Sequence, residues 1–206
     1  MILYFIAIII CIVLMVCTYI FLAKYEKKNI AFYVDYSYIV KKTHTLLIIN
    51  SVEDIKIRIG NNYSFVPNQN TIFVIDKEKY NDFDLFKCFH ELGHVLDYKK
   101  NYPLISKLWL IDKQICIYSW MFILIWGVLD YVEIIESSLV CILIYTEMLL
   151  LIIHIILTIV FENRASRYAY HEMENKKYII CAIVSVFQQI LFCCLLFFPL
   201  FCLILL

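Results

Sequence analysis

The chain alternates between long apolar runs and shorter segments that hold nearly all of its charge. About 20 consecutive apolar residues allow an α-helix to cross a bilayer. By this criterion we predict membrane spans at residues 2–23, 108–129, 139–161 and 178–206. Asp112 and Lys113 interrupt the second stretch, so it crosses only if its beginning lies among the lipid headgroups. The pattern predicts a polytopic α-helical membrane protein with about four transmembrane helices.

The charged segments predict how the chain is oriented in the membrane. Residues 24–107 hold most of the 18 basic residues, and residues 162–177 are also rich in Lys and Arg. The connection at residues 130–138 carries only acidic charges. Because Lys and Arg concentrate in cytoplasmic loops, both basic segments are predicted to lie in the cytoplasm. The first stretch has no basic start and no small-residue cleavage site, which favours an uncleaved anchor over a signal peptide.

Composition narrows the class of protein further. Of the 206 residues, 63% are hydrophobic and 17% are charged, whereas soluble globular domains have roughly 45–50% and about 25%. The 18 basic and 18 acidic residues cancel, so charge does not predict a nucleic-acid partner, and the lipid bilayer is the expected partner. All of the nine cysteines except Cys88 lie in predicted spans, and Cys88 in the cytoplasm is expected to be reduced. The chain is thus predicted to form a single membrane-embedded unit over residues 1–206.

The cytoplasmic segment is predicted to be a small α+β structure. An apolar-rich stretch at residues 30–49 favours a helix, and alternation at 54–59 predicts a strand. Turn residues at 60–62 and 67–70 separate two further short strands at 63–66 and 71–75. A helix is then expected over residues 85–99, capped by Asp82 or Asp84 and ending near Asn101 and Pro103.

That last helix contains the sequence His90-Glu91-Leu92-Gly93-His94, an HExxH motif. Residues four apart share a helix face about 6 Å apart, so both imidazoles can reach one metal ion. Such a pair is typical of zinc sites, where the neighbouring Glu can act as base for a zinc-bound water whose pKa falls to about 7. The motif therefore predicts one Zn²⁺ per chain, with His90 and His94 as metal ligands and Glu91 as the catalytic base of peptide hydrolysis.

A catalytic zinc normally has a third protein ligand. Asp97 lies about 10 Å along the helix from His90, too far to share an ion, and is expected beside the site or in solvent. Glu162 directly follows the third predicted span, on the same predicted side of the membrane as the motif, and is the preferred candidate. Its alternative role is a helix-end carboxylate paired with Arg164 or Arg167. Three other candidates lie in a charged stretch and are expected to be solvated: His171, Glu172 and Glu174.

Several further residues have chemistry that suits such a site. Ser166, one turn after Glu162, could orient a ligand by hydrogen bonding. Glu147 and His154 share one face of the third predicted span, where they either line a polar cavity or form a polar contact between helices, with Gln188 or Gln189 as possible partners. Candidates to stabilise the oxyanion of a tetrahedral intermediate are Arg164, Arg167, Tyr168 and His171.

With HELGH at residues 90–94 and ENRASRYA at 162–169, the chain resembles the bacterial membrane-bound neutral zinc metallopeptidases of the YugP type. Those proteins combine an N-terminal anchor, a strand-rich region, an HE-x-GH helix and a Glu in an E-x-x-A-S signature. The resemblance implies a zincin-like cytoplasmic segment in a bacterial cell-membrane protein. It makes His90, His94 and Glu162 the zinc ligands and Glu91 the base, with Ala165 and Ser166 matching the A-S pair.

The resemblance has departures and a rival. Gln is usual where Asp97 stands, the turn at residues 63–67 lacks an acidic residue, and a Gly-containing segment before residue 54 is missing. The HtpX-like and CAAX-processing gluzincins also combine an HExxH motif with a downstream Glu ligand, but they favour Asp at the position of Ser166.

Two functions of different classes follow from the sequence. The first is a zinc-dependent membrane metallopeptidase, an enzyme that cleaves membrane-associated proteins or peptides at the cytoplasmic face. The second is a non-catalytic membrane binding or immunity-type protein with a structural or vestigial zinc site. An intact Glu91 favours the first, because a structural site has no use for a base beside its first ligand.

Overall fold

The computed structural model describes residues 2–134 and 136–204, which are mostly helical with a small region of β-structure. In chain order the elements are α1 (Ile2–Asn29), β1 (Tyr33–Val34), α2 (Tyr36–Ile49), β2 (Lys56–Gly60), β3 (Ser64–Val66), β4 (Thr71–Ile75), β5 (Tyr80–Asn81), α3 (Asp82–Leu96), α4 (Pro103–Tyr131), α5 (Ser137–Met173) and α6 (Lys177–Ile204). A short 3₁₀-helix at Pro67–Gln69 precedes β4, and a π-helical turn at Asp97–Asn101 follows α3.

Three helical stretches are long and apolar enough to cross a membrane: Ile8–Asn29, Ser138–Met173 and Lys177–Leu195. They include the first, third and fourth predicted spans in whole or in large part, and they indicate a membrane protein. Residues 108–129 lie within α4, but that helix is not among the three found in the described part of the chain. The second span therefore stays a prediction.

The chain forms two compact units. The first is built from the apolar helices and comprises Met1–Ile20, Lys107–Ile159 and Val186–Leu206. The second comprises Phe21–Ser106 and Val160–Ser185, and it contains every strand, α2, α3 and the last part of α5. The HExxH motif and Glu162 both belong to this second unit.

The strands form two small sheets in the second unit. Strand β2 pairs in parallel with β4, and β3 pairs with the other edge of β4 in antiparallel register, so the order is β2-β4-β3. The prediction of strands at 63–66 and 71–75 is confirmed to within one residue, and the strand expected at 54–59 begins two residues later. Ile72 and Val74 of β4 are fully buried in the same core as Leu92 and Val95 of α3.

Two local predictions in this unit are wrong. The helix expected over residues 30–49 begins only at Tyr36, because Asp35 is extended and the preceding β1 pairs with β5, which the sequence pattern did not reveal. The cap of α3 is Asn81 and neither Asp82 nor Asp84. The Asn81 side chain accepts from the Phe83 and Asp84 N–H groups, and Asp84 accepts from the Asn81 N–H, which completes a capping box.

Asp82, at the start of α3, is fully buried and joins three separate segments. Its carboxylate forms an ion pair with Lys177 and accepts hydrogen bonds from the Tyr178 hydroxyl and the Ala31 N–H. Burial by itself raises the pKa of Asp82, but these partners outweigh it and hold the pKa below its ordinary value. Lys177 also donates to the Asn29 carbonyl, so the cluster ties the end of α1 and the start of α6 to α3.

We expect Asp82→Asn to lower the melting temperature of the metal-free protein by about 6–12 °C. Breaking one partner of a buried pair costs about 3 kcal/mol or more, and about 1 kcal/mol corresponds to roughly 2–4 °C at this chain length. Because the folded-state pKa is lowered, this stability is fully present above the unfolded pKa of about 3.9 and is lost progressively as the pH falls from there through the folded-state pKa. Fluorescence-monitored melting from pH 7 down to pH 3 measures the difference, which should shrink with acid.

The matched control is Asp54→Asn, which removes an exposed carboxylate that pairs with Lys99. It should change the melting temperature by no more than about 2 °C, as expected for a surface pair. An equal effect of both substitutions would contradict the structural role assigned to Asp82.

Candidate metal centre

The polar residues of the motif lie on the side of α3 that does not face the apolar core. Phe89, Leu92, Val95 and Leu96 of this helix are buried, while His90, Glu91 and His94 are only partly buried. The apolar positions thus dock the helix against the β2-β4-β3 sheet and α2. They leave both imidazoles and the Glu91 carboxylate on its polar side, as the i, i+4 spacing requires.

Helix α5 brings Glu162 to these imidazoles. The Nε2 atom of His90 lies 3.2 Å from Glu162 Oε2, and the Nε2 atom of His94 lies 3.6 Å from Glu162 Oε1. The two Nε2 atoms are 3.2 Å apart. Among the described residues, this is the one group of three or more His, Cys, Asp or Glu side chains arranged so that it could hold a metal ion.

The spacing of these donor atoms suits a tetrahedral zinc ion. Zinc bonds of about 2.0–2.2 Å to nitrogen and oxygen place neighbouring ligand atoms about 3.4 Å apart. The two Nε2 atoms are 3.2 Å apart, and each lies 3.2 or 3.6 Å from a different oxygen of Glu162, separations close to this value. Two imidazoles and one carboxylate are also a donor set of catalytic zinc sites, which leaves a fourth position for water. The residues present therefore fit the metal that the motif predicts.

Ser166 supports the first ligand from the side away from Glu162. Its Oγ atom lies 3.2 Å from His90 Nδ1, so the hydrogen bond at Nδ1 leaves Nε2 turned toward the carboxylate. Burial by itself lowers the pKa of His90, but the nearby Glu162 and Glu91 carboxylates raise it above its ordinary value. The orienting role predicted for Ser166 thus has a geometric basis.

Glu91 is held in place by the sheet. Its Oε2 atom accepts a 2.8 Å hydrogen bond from the Phe65 N–H of β3. Phe65 is the middle residue of an edge strand and stands opposite Ile72 of β4. Since its N–H donates to Glu91, that N–H is directed away from β4, as in the non-hydrogen-bonded pairs of an antiparallel ladder. The sequence predicted the role of Glu91 but not this anchor, because the two residues are 26 positions apart.

A close contact between small residues sets the separation of α3 and α5. A Cβ atom placed on Gly93 would lie 2.6 Å from Ala165 Cα and 3.1 Å from Ala165 Cβ. Ala165 is fully buried at this contact, between Glu162 and Ser166 on the same face of α5. Gly93 therefore serves packing within the motif, a role that could have been suspected from its place between the two His residues.

Asp97 is neither a ligand nor a solvated residue. It is 3% exposed and forms a bidentate ion pair with Arg164, whose Nε and Nη2 atoms donate to its two oxygens over 2.9 Å each. Arg164 is therefore paired with Asp97, whereas the sequence had suggested Glu162 as its partner.

The other candidate residues of α5 are placed elsewhere. Arg167 and His171 are exposed and lie on the opposite side of α5 from Glu162. The Tyr168 hydroxyl accepts a hydrogen bond from the Asn50 amide. Glu174 is exposed and Glu172 is partly buried, and neither belongs to the metal cluster.

Glu147 and His154 are both buried, but in the unit of apolar helices. His154 Nδ1 lies 2.9 Å from Asp112 Oδ2, and its Nε2 lies 3.3 Å from the Thr158 hydroxyl, which accepts from Trp109. His154 thus forms the predicted kind of polar contact between helices, though with Asp112. Gln188 instead donates to Thr18.

Comparison with known proteins leaves the resemblance as an expectation. No family model matches the chain, and no curated protein and no solved structure matches it.

Proposed function

We propose that the protein is a membrane-bound zinc metallopeptidase whose metal ligands are His90, His94 and Glu162. The observation that carries this proposal is the convergence of the three side chains at 3.2–3.6 Å, with Glu91 beside them. The HExxH spacing alone accounts for two of these ligands. The third ligand, the Glu162 carboxylate, lies 68 positions beyond His94 in the sequence and is brought to the two imidazoles by tertiary packing.

Different residues of the site have different roles in the proposed hydrolysis. When bound, zinc supplies Lewis-acid polarisation of the scissile carbonyl and of a water molecule. His90, His94 and Glu162 hold it, and Ser166 orients His90. Glu91 accepts the proton of the attacking water and returns it to the leaving amine, while the Phe65 N–H keeps its carboxylate in one orientation.

The substrates we propose are membrane-associated proteins or peptides, cleaved at the cytoplasmic face of a bacterial cell membrane. Three helices able to cross a bilayer support membrane attachment. The basic segments at residues 24–107 and 162–177, which contain the whole site, support the cytoplasmic side. Because Glu162 directly follows the span predicted at 139–161, substrates held near the bilayer would reach the site most readily.

The test is the zinc content of detergent-purified protein, wild type beside Glu162→Ala. We expect about one zinc per wild-type chain and a large loss in the variant, since two imidazoles alone hold zinc weakly. Glu172→Ala is the matched control, because it removes a carboxylate of the same helix that lies outside the cluster and should leave zinc bound. Elemental analysis after dialysis against a weak chelator measures the number of zinc ions bound per chain.

Full retention of zinc without Glu162 would move the third ligand elsewhere and refute this site. Absence of zinc from metal-replete wild-type protein would refute the enzyme and leave the binding-protein alternative. Hydrolysis of a mixture of fluorescence-quenched peptides, abolished by 1,10-phenanthroline and restored by added zinc, would complete the demonstration.

A further inference from the structure

The ion pair between Asp97 and Arg164 joins the two segments that carry the metal ligands. Asp97 begins the π-helical turn directly after α3, three residues beyond His94. Arg164 lies two residues beyond Glu162 on α5. The two partners are 67 positions apart in sequence, so only tertiary contacts determine how the two segments meet.

The surroundings of this pair make it rigid. Two parallel N–H···O bonds of 2.9 Å fix the angle as well as the distance between the guanidinium and the carboxylate. The Tyr102 ring lies against the guanidinium at 4.2 Å, and the Asn101 amide donates to Asp97 Oδ1. The π-helical turn is closed by the hydrogen bond from the Tyr102 N–H to the Asp97 carbonyl, and it places Asn101 and Tyr102 beside the ion pair.

The contact between Gly93 and Ala165 complements the ion pair. Close contact of small residues limits how far apart the helices lie, but it offers little resistance to sliding or rotation of one helix on the other. A metal site tolerates displacements of only about 0.2 Å in its bond lengths. The bidentate pair, one turn of helix away from that contact, supplies the directional restraint that packing lacks.

We propose that Asp97 and Arg164 are positioning residues of the metal site. Their ion pair fixes the register of α5 on α3 and thereby presents the Glu162 carboxylate to His90 and His94. The inference rests on the proposed function, because it presupposes that this cluster binds zinc. It assigns Asp97 and Arg164 no contact with substrate or with the metal.

The experiment measures zinc affinity by competition with a chromophoric chelator in detergent-purified full-length protein. We expect Asp97→Asn and Arg164→Gln each to weaken zinc binding by about 10–100-fold, the usual effect of losing a group that orients metal ligands. If the two residues act only through each other, the double variant should be about as weak as either single variant. Arg164→Lys keeps the positive charge but loses the two parallel hydrogen bonds of the guanidinium, so it should weaken zinc binding less than Arg164→Gln does.

The matched control is the exposed pair between Lys99 and Asp54, which is anchored in the same π-helical turn but joins it to the segment before β2 and not to α5. Lys99→Gln and Asp54→Asn should leave zinc affinity within about threefold of wild type, as expected for a surface pair. Visible absorption of the cobalt-substituted protein gives a second readout. The band of tetrahedral cobalt should weaken in the Asp97 and Arg164 variants but not in the controls.

The possible results separate this inference from the proposed function. Wild-type zinc affinity and cobalt absorption in Asp97→Asn and Arg164→Gln would overturn the positioning role while the metal site stands. Losses that multiply in the double variant would also overturn it, because independent effects do not arise from one ion pair. Failure of the wild type to bind zinc would instead refute the metal site itself. If Asp97→Asn does not fold, the Arg164→Lys and Arg164→Gln variants carry the test.

Discussion

A Glu91→Gln variant is expected to lose peptide hydrolysis by about 10²–10⁴-fold while it keeps its zinc, since removing a general base has effects of this size. Gln has the same shape as Glu, and its carbonyl oxygen can still accept the hydrogen bond from the Phe65 N–H. It cannot accept the proton of the attacking water. The measurement is the initial rate on fluorescence-quenched peptides, together with elemental zinc content.

The control is Glu53→Gln, an identical change at an exposed position of the same unit, which should hydrolyse at the wild-type rate. Hydrolysis at the wild-type rate by Glu91→Gln would exclude the mechanism. If a cellular phenotype requires His90 and His94 but not Glu91, the non-catalytic binding protein becomes the better explanation.

A Gly93→Ala variant is expected to bind zinc at least about tenfold more weakly, the lower range seen when groups supporting a metal site are disturbed. Gly→Ala inside a helix ordinarily stabilises by up to about 1 kcal/mol. Here the new methyl group would lie 2.6 Å from Ala165 Cα, and backbone cannot move aside as a side chain can. Helix α5 must shift, and Glu162 shifts with it. Chelator competition measures the loss.

Gly60→Ala provides the matched control for this prediction. A Cβ atom there would lie 2.7 Å from Phe73 Cδ1, so it introduces crowding in the same unit, but against a side chain of the sheet and not against the backbone of α5. We expect it to lower the melting temperature while zinc affinity stays within about threefold of wild type. Equal zinc affinity in Gly93→Ala and wild type would show that the contact with Ala165 does not determine the position of Glu162.

Local patterns account for the elements that the sequence predicted well. The HExxH spacing places His90 and His94 on one helix face whatever surrounds it, because helix geometry alone sets that relation. The strand Thr71–Ile75 was predicted with its observed bounds, since turn residues precede it and it is a short run of β-branched and aromatic residues. The start of α2 was missed because β1 pairs with β5, in which Asn81, the partner of Tyr33, lies 48 positions further along the chain. A local pattern contains no information about such a partner.

The sequence by itself determined that the chain has long apolar helices and that its charge is confined to a few segments. It also indicated which residues could bind a metal ion and which could activate a water bound to that ion. Membrane length, helix periodicity and side-chain chemistry act over short distances along the chain, so they can be read directly from it. Only the tertiary structure decided that Glu162 meets His90 and His94, that Arg164 pairs with Asp97, and that Gly93 touches Ala165. These contacts join residues about 70 positions apart, and their existence depends on how two helices pack, which no local preference specifies.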